Sequence, residues 1–304
     1  MARCQPAGVA LLLAACMSKS HAAQTVRLPG VACSPVSVLF VDGMEDTARL
    51  PVDDSAGSGG SPGAFSANTH VAGIGSGTQT WYGYAPPAPD RPLPLLLLLH
   101  GAAGSPAAAN AAAMQLRDQW QPLAAAKGLV LVAPVAGGAS GGWLAPFGVG
   151  VHPTDYDVIS EALADAEALY SINRSRRYGW GFSAGGHVMH DLGVNGYAPV
   201  FSEPNIAAYT VSAGLLPAVA CAYVSSAACN ARLDALPRHL PALIRVGNSD
   251  SYLGYARADR DRFVARGWTL GAELGYAEFA GNHEIAALEP EASWPFLCRF
   301  AVIP

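Results

Sequence analysis

The chain has 304 residues, of which 51% are hydrophobic and 13% charged, with 33 glycines and 23 prolines. Globular domains ordinarily carry about 25% charged residues, so this is a well-cored, turn-rich chain and not a disordered one. A formal net charge of -5 leaves no basic stripe to neutralise phosphates, which argues against a nucleic acid partner.

At the N-terminus, Arg3 precedes an apolar run from Ala7 to Ala15 broken only by Gly8. The run is too short to span a bilayer but fits the core of an export signal, here expected over residues 1–23. Two processing sites compete. Ser20-His21-Ala22 is a small-x-small cleavage site, whereas Leu13-Ala14-Ala15-Cys16 resembles a lipobox, in which Cys16 would carry a lipid anchor. The mature protein is therefore expected outside the cytoplasm, either secreted or periplasmic, or held at the surface by lipid.

Beyond Cys16 the cysteines are Cys33, Cys221, Cys229 and Cys298, an even set in a chain bound for an oxidising compartment. Of the three possible pairings, the short loop between them favours Cys221 with Cys229, leaving Cys33 and Cys298 to tie the ends together. No spacing matches a CxxC zinc site, and no metal is expected.

Residues 24–75 read as an N-terminal extension. It holds a candidate strand at Val36–Val41 and a Gly/Ser-rich stretch, Asp53–Asn68, without hydrophobic period, expected as a flexible surface loop. From residue 76 onward a single large domain is expected. Short apolar runs at Leu95–Leu99, Leu129–Ala133, Tyr178–Phe182, Tyr209–Ser212, Ala242–Val246 and Leu274–Phe279 predict strands. Between and after them, helices are predicted over Ala107–Lys127, Ser160–Tyr170, Tyr255–Arg266 and Pro290–Phe300. Buried strands alternating with helices give an α/β class, with a mostly parallel central sheet covered by helices on both faces.

Gly181-Phe182-Ser183-Ala184-Gly185 fits G-x-S-x-G, in which a strand turns sharply into a helix and presents the serine hydroxyl at the sheet edge. An apolar strand precedes it, and a helix beginning near Gly186 would point its N-terminus at developing negative charge. A serine needs a base, and the base needs a group to fix its tautomer. Of the downstream histidines, His283 alone sits in a Gly-Asn-His-Glu loop after an apolar strand. His187 and His190 lie on the elbow helix and read as ordinary helix residues.

Asp250 ends the loop Gly247-Asn248-Ser249-Asp250 at the carboxyl edge of the preceding strand, which makes it the acid. Asp259 and Asp261, set among Arg257, Arg260 and Arg262, read as solvated charges, and Asp234 follows no strand. For an oxyanion, the backbone N–H of Ala184 follows the serine, and Ala102 in the loop after Leu95–Leu99 supplies a second donor. Trp143, Phe147 and Tyr252 flank these loops as candidate substrate-lining aromatics.

Taken together, His100-Gly101 after a buried strand, the run Asn173–Gly186, Asp250 and Gly281-Asn282-His283 resemble secreted polyhydroxybutyrate depolymerase and feruloyl esterase-like proteins of the α/β-hydrolase fold. The likeness covers roughly residues 75–300. It implies an exported serine esterase that acts on small or polymeric carboxylic esters through an acyl-enzyme, with neither metal nor organic cofactor. A monomer is expected. The loop Gly137–His152 departs from the family in lacking the cysteine-tryptophan pattern of true polymer depolymerases. Two other readings stay open: a prolyl-oligopeptidase-like peptidase, which shares the order Ser, acid, His but would ordinarily carry a preceding β-propeller, and a non-catalytic surface protein that kept the fold for binding.

Overall fold

The computed structural model describes residues 23–28, 33, 53–74, 77–87, 91–145, 153–196 and 201–303. Residues 1–22 of the expected export signal, with Cys16, the candidate strand Val36–Val41 and Phe147 lie outside these residues.

In chain order the elements are β1 (Gln24–Arg27), β2 (Gly63–His70), β3 (Thr78–Ala85), β4 (Leu93–Leu99), α1 (Pro106–Lys127), β5 (Val130–Pro134), α2 (Asp155–Leu169), β6 (Ile172–Phe182), α3 (Ala184–Asn195), β7 (Ala208–Ser212), α4 (Ser226–Asp234), β8 (Ala242–Gly247), α5 (Leu253–Ala265), β9 (Leu274–Phe279), α6 (Glu289–Leu297) and β10 (Phe300–Ile303). Eight strands form one sheet in the order β2-β3-β5-β4-β6-β7-β8-β9, and β1 pairs with β10 apart from it. Within the large sheet β3 is antiparallel to both its neighbours, while every pairing from β5 to β9 is parallel.

The leucine run in β4 explains the layering. Leu95, Leu97 and Leu99 pack with Ile159 and Leu163 of α2, Val188 and Leu192 of α3 and Phe263 of α5. Leu96 and Leu98 point the other way, into Leu116 and Trp120 of α1 and Trp294 and Leu297 of α6. With both faces covered, the period-2 alternation of a strand has no polar half, so the sequence reads as an unbroken apolar run. Local signals set the helix ends. Ser105 caps α1 through Ala108 N (3.2 Å), with Pro106 in the first turn, and Gly128 closes it in the left-handed region at φ 70°.

Two expectations change. The stretch Asp53–Asn68 is not a free loop. Its second half is edge strand β2, whose inward positions include Phe65 against Trp81, with ring centroids 5.3 Å apart, and Ala67. Its first half is docked on the end of α2 and the start of β6 by Ser55, whose hydroxyl donates to Glu167 O (3.0 Å) and Tyr170 O (2.9 Å) and accepts from Ile172 N (3.0 Å). Small residues hid the alternation. The helix expected over Pro290–Phe300 stops at Leu297, and Phe300 begins β10.

Cys33 is joined to Cys298 and Cys221 to Cys229, as the sequence favoured. Among the described residues, no helix is long and apolar enough to cross a membrane.

Candidate active site

The strand order reverses direction at β4. From β4 the chain crosses by α1 to β5 on one side, then by α2 back to β6 on the other. The loops after β4 and β6 therefore part around a crevice at the carboxyl edge of the sheet, where open α/β sheets hold their ligands. His100–Ser105 and Ser183 both lie there.

Ser183 sits at φ 50° and ψ −117°, a strained conformation for a residue with a side chain. Glycines make the turn possible. A Cβ on Gly185 would stand 2.2 Å from Leu99 O, and one on Gly181 would stand 2.3 Å from Gly185 O. The turn is pinned by Ser183 N donating to Ser212 O (2.9 Å) and His187 N to Ser183 O (2.9 Å).

Asp250 and His283 come from loops zipped to each other. Asn248 N donates to Phe279 O (2.8 Å) and Ser249 N to Gly281 O (2.9 Å), while a Cβ on Gly247 would lie 2.3 Å from Asn282 O. This close approach brings His283 Nδ1 to 2.9 Å from Asp250 Oδ2, and His283 Nε2 to 2.8 Å from Ser183 Oγ. A carboxylate only accepts, so Nδ1 carries the proton and Nε2 is free to accept from the serine hydroxyl. The second Asp250 oxygen accepts from Tyr252 N (2.8 Å). His283 lies between two rings, Phe182 at 5.2 Å and Tyr252 edge-on at 4.8 Å.

Behind the sheet edge, buried Glu289 at the head of α6 accepts from Arg245 Nε of β8 (2.8 Å), Trp180 Nε1 of β6 (3.2 Å) and Ser293 Oγ (3.0 Å). The strands that carry Ser183 and Asp250 are thereby tied to one another and to the helix that follows His283.

The two expected backbone donors lie in the loops that flank the crevice. Ala184 is the first residue of α3, so its N–H has no intrahelical acceptor. In the loop after β4, Ala103 N donates to Gly141 O (3.1 Å), and the Ala102 N–H singled out from the sequence lies next to it in that loop. A second loop, residues 136–145, braces this one. Trp143 Nε1 donates to His100 O (2.7 Å), and Ala136 N donates to His100 Nε2 (3.1 Å). Since Nε2 accepts, His100 Nδ1 carries the proton and donates to Gly101 O (2.6 Å), with burial holding the imidazole below its usual pKa. The brace itself hangs on Asp155, which accepts from Gly137 N (3.0 Å) and from Leu144 N (2.6 Å). Burial pushes the Asp155 carboxyl up to about 6, against the lowering effect of those amides.

Of the aromatics singled out from sequence, Tyr252 lies against His283, whereas the Trp143 indole N–H is committed to His100. Asp259 differs from expectation. It is buried, accepts from Leu216 N (2.9 Å), and is pushed by burial to about 7. Its helical neighbours Ala256 and Phe263, three before and four after, mark the inward face despite the surrounding arginines. Asp234 is exposed and pairs with Arg266 (3.2 Å). His187 does more than fill a helix position: its Nδ1 accepts from Leu215 N (2.8 Å) and its ring lies 5.9 Å from Tyr252. The sequence reading missed Asp155 and the brace, although Thr154 with Asp157 three residues on is a readable helix-start signal.

The sheet, its helices and the strained serine turn are those of the α/β-hydrolase fold. Among solved structures, the fluorophosphonate-binding serine hydrolase FphF of Staphylococcus aureus aligns with a TM-score of 0.58 at 16% identity, covering 78% of this chain and 99% of that one. A ferulic acid esterase aligns equally well, with a TM-score of 0.58 at 16% identity over 78% of this chain and 97% of its own. The S-formylglutathione hydrolase FrmB of S. aureus follows with a TM-score of 0.53 at 14% identity over 77% and 98%. No protein-family model matches the chain, and no curated protein matches it in sequence.

Proposed function

We propose that the protein is an exported serine hydrolase that cleaves carboxylic esters through an acyl-enzyme. The observation that carries this reading is the unbroken chain Ser183 Oγ, His283 Nε2, His283 Nδ1, Asp250 Oδ2, with links of 2.8 and 2.9 Å, on a strained turn that opens directly into a helix at Ala184. Ser183 Oγ attacks the ester carbonyl carbon as His283 Nε2 takes its proton. Asp250 holds the resulting imidazolium, and the Ala102 and Ala184 N–H groups bind the oxyanion. As the C–O bond breaks, Nε2 returns the proton to the leaving alkoxide oxygen. Water, deprotonated by the same nitrogen, then releases the acid and restores Ser183.

Polyesters and plant-wall aromatic esters are the proposed substrate classes, on the sequence resemblance and on the fold shared with a ferulic acid esterase. Export is supported by the apolar leader and by two disulfides. Lipid attachment at Cys16 predicts palmitate labelling of the full chain that disappears in Cys16→Ser.

The test is hydrolysis of p-nitrophenyl esters of graded acyl length by the disulfide-intact protein, with a fluorophosphonate probe alongside. Turnover and labelling that both vanish in Ser183→Ala support the proposal. A folded protein that neither turns over esters nor labels overturns it and leaves the binding-protein reading. Cleavage of peptide anilides in preference to esters favours the peptidase.

A further inference from the structure

A cavity of about 400 Å³ opens beside the reactive serine, in the size range of small-molecule sites. Its mouth is the loop His100–Ala103, and Phe182 and Ile285, neighbours of Ser183 and His283, form one wall. Another wall is one stripe of α1: Ala108, Ala112, Gln115, Leu116 and Gln119, at steps of four, three, one and three residues. Such positions share one helix face and extend roughly 16 Å along the axis.

The stripe changes character along its length. Next to the loop it is alanine, which leaves room. Away from it, the stripe ends in two carboxamides. Gln119 fixes the far end by donating to Ala286 O (3.3 Å), three residues beyond His283. Among the described residues, no Asp, Glu, Lys or Arg lines the cavity.

We infer that this cavity seats the acyl arm of the ester, and that Gln115 and Gln119 select an acyl group ending in an uncharged polar function such as a hydroxyl. The inference rests on the ester-hydrolase reading and deepens it. With the carbonyl oxygen on Ala102 N–H, an acyl group bound to Ser183 leaves the serine alongside the loop that forms the cavity mouth. The leaving alcohol must instead face His283 Nε2, which donates its proton. A carboxamide both donates and accepts, so it can pair with a hydroxyl in both directions, whereas a methyl terminus would displace water from half-buried Gln119 without replacing its hydrogen bonds and gain nothing from exposed Gln115. A charged terminus would find no counter-ion there.

The experiment compares p-nitrophenyl acetate, hexanoate and 6-hydroxyhexanoate, reading ratios of kcat/KM so that any loss of folded protein cancels. The wild type is expected to favour 6-hydroxyhexanoate over hexanoate by about five- to tenfold. Gln115→Leu with Gln119→Leu should erase or invert that preference. Ala112→Leu, which fills the middle of the stripe, should lower the hexanoate-to-acetate ratio about tenfold or more. Turnover of all three esters with both ratios unmoved overturns the acyl-arm assignment alone. So does a change confined to a series of acetate esters that differ only in their alcohol. Absence of turnover on every ester overturns the hydrolase reading and this inference with it.

Discussion

The two loops that meet at the crevice between β4 and β6 are held in opposite ways. The serine turn is shaped by what is missing: Gly181 and Gly185 let backbone lie within 2.3 Å of where a Cβ would be, and every contact that forces the turn is local or in the next strand. The loop carrying Ala102 is shaped by what has been added from a distance. Trp143 donates to His100 O, the His100 ring links Ala136 N to Gly101 O, and buried Asp155, 55 residues along the chain from His100, holds the bracing loop at Gly137 N and Leu144 N. A position defined by exclusion admits one geometry, whereas a position defined by hydrogen bonds loosens bond by bond.

The sharpest way to break the first side is Gly185→Ala. The added methyl would stand 2.2 Å from Leu99 O and 2.6 Å from His100 O, both backbone atoms that no rotamer change can move. Destabilisation of roughly 3 kcal/mol or more is expected, with loss of esterase activity even in the fraction that folds. Urea unfolding and p-nitrophenyl ester turnover measure both. A variant with wild-type stability and activity would mean that the turn relaxes and that exclusion does not define it.

The second side should yield in degrees. Asp155→Ala removes the acceptor for Gly137 N and Leu144 N together, freeing the loop whose Gly141 carbonyl holds Ala103. A fall in kcat of about 10- to 100-fold is expected with KM little changed, since a misplaced oxyanion donor acts on the transition state; outright loss of such a donor costs about 10²–10³. Asp155→Asn keeps one acceptor oxygen and should recover part of the loss. Equal changes in kcat and KM for both variants would assign Asp155 to stability alone. Trp143→Phe deletes one hydrogen bond, to His100 O at 2.7 Å, and should cost a few-fold in kcat.

The same contrast decided what could be read from the sequence. The serine turn was legible because its requirement is written in five consecutive residues, and Asp250 and His283 because each follows an apolar strand in the order the fold demands. The brace was not. Asp155 looks like any first-turn acid of a helix, and only the folded chain brings Gly137 and Leu144 to it. Edge strand β2 escaped for a different reason: alternation among Gly, Ala, Ser and Asn carries almost no hydrophobic contrast, so the one aromatic, Phe65, could not establish a period by itself. Asp259 was misread because three arginines nearby suggested a solvated face, although its own carboxylate turns inward to Leu216 N.

A last test sets the two sides against each other through pH. On the serine side, burial and then the neighbouring His283 hold His187 down at about 4, so it is neutral in the folded state and accepts from Leu215 N. Its stabilising contribution is present above the unfolded value near 6.5 and is lost as pH falls from there toward 4. Asp155 has the opposite sign. Raised by burial to about 6 from 3.8, it binds its proton more tightly when folded, so its contribution is largest at low pH and declines as pH rises through 6. Between pH 4 and 6 the two slopes oppose each other. Removing one should expose the other: His187→Gln is expected to gain about 2 kcal/mol relative to the wild type when both are moved from pH 7 to 4.5, since the variant no longer has a buried imidazole that must stay uncharged. Urea unfolding at the two pH values measures this. A difference between variant and wild type that is the same at both would mean that His187 does not titrate between them, and that the serine side is insensitive to the protons that act on the brace of the other loop.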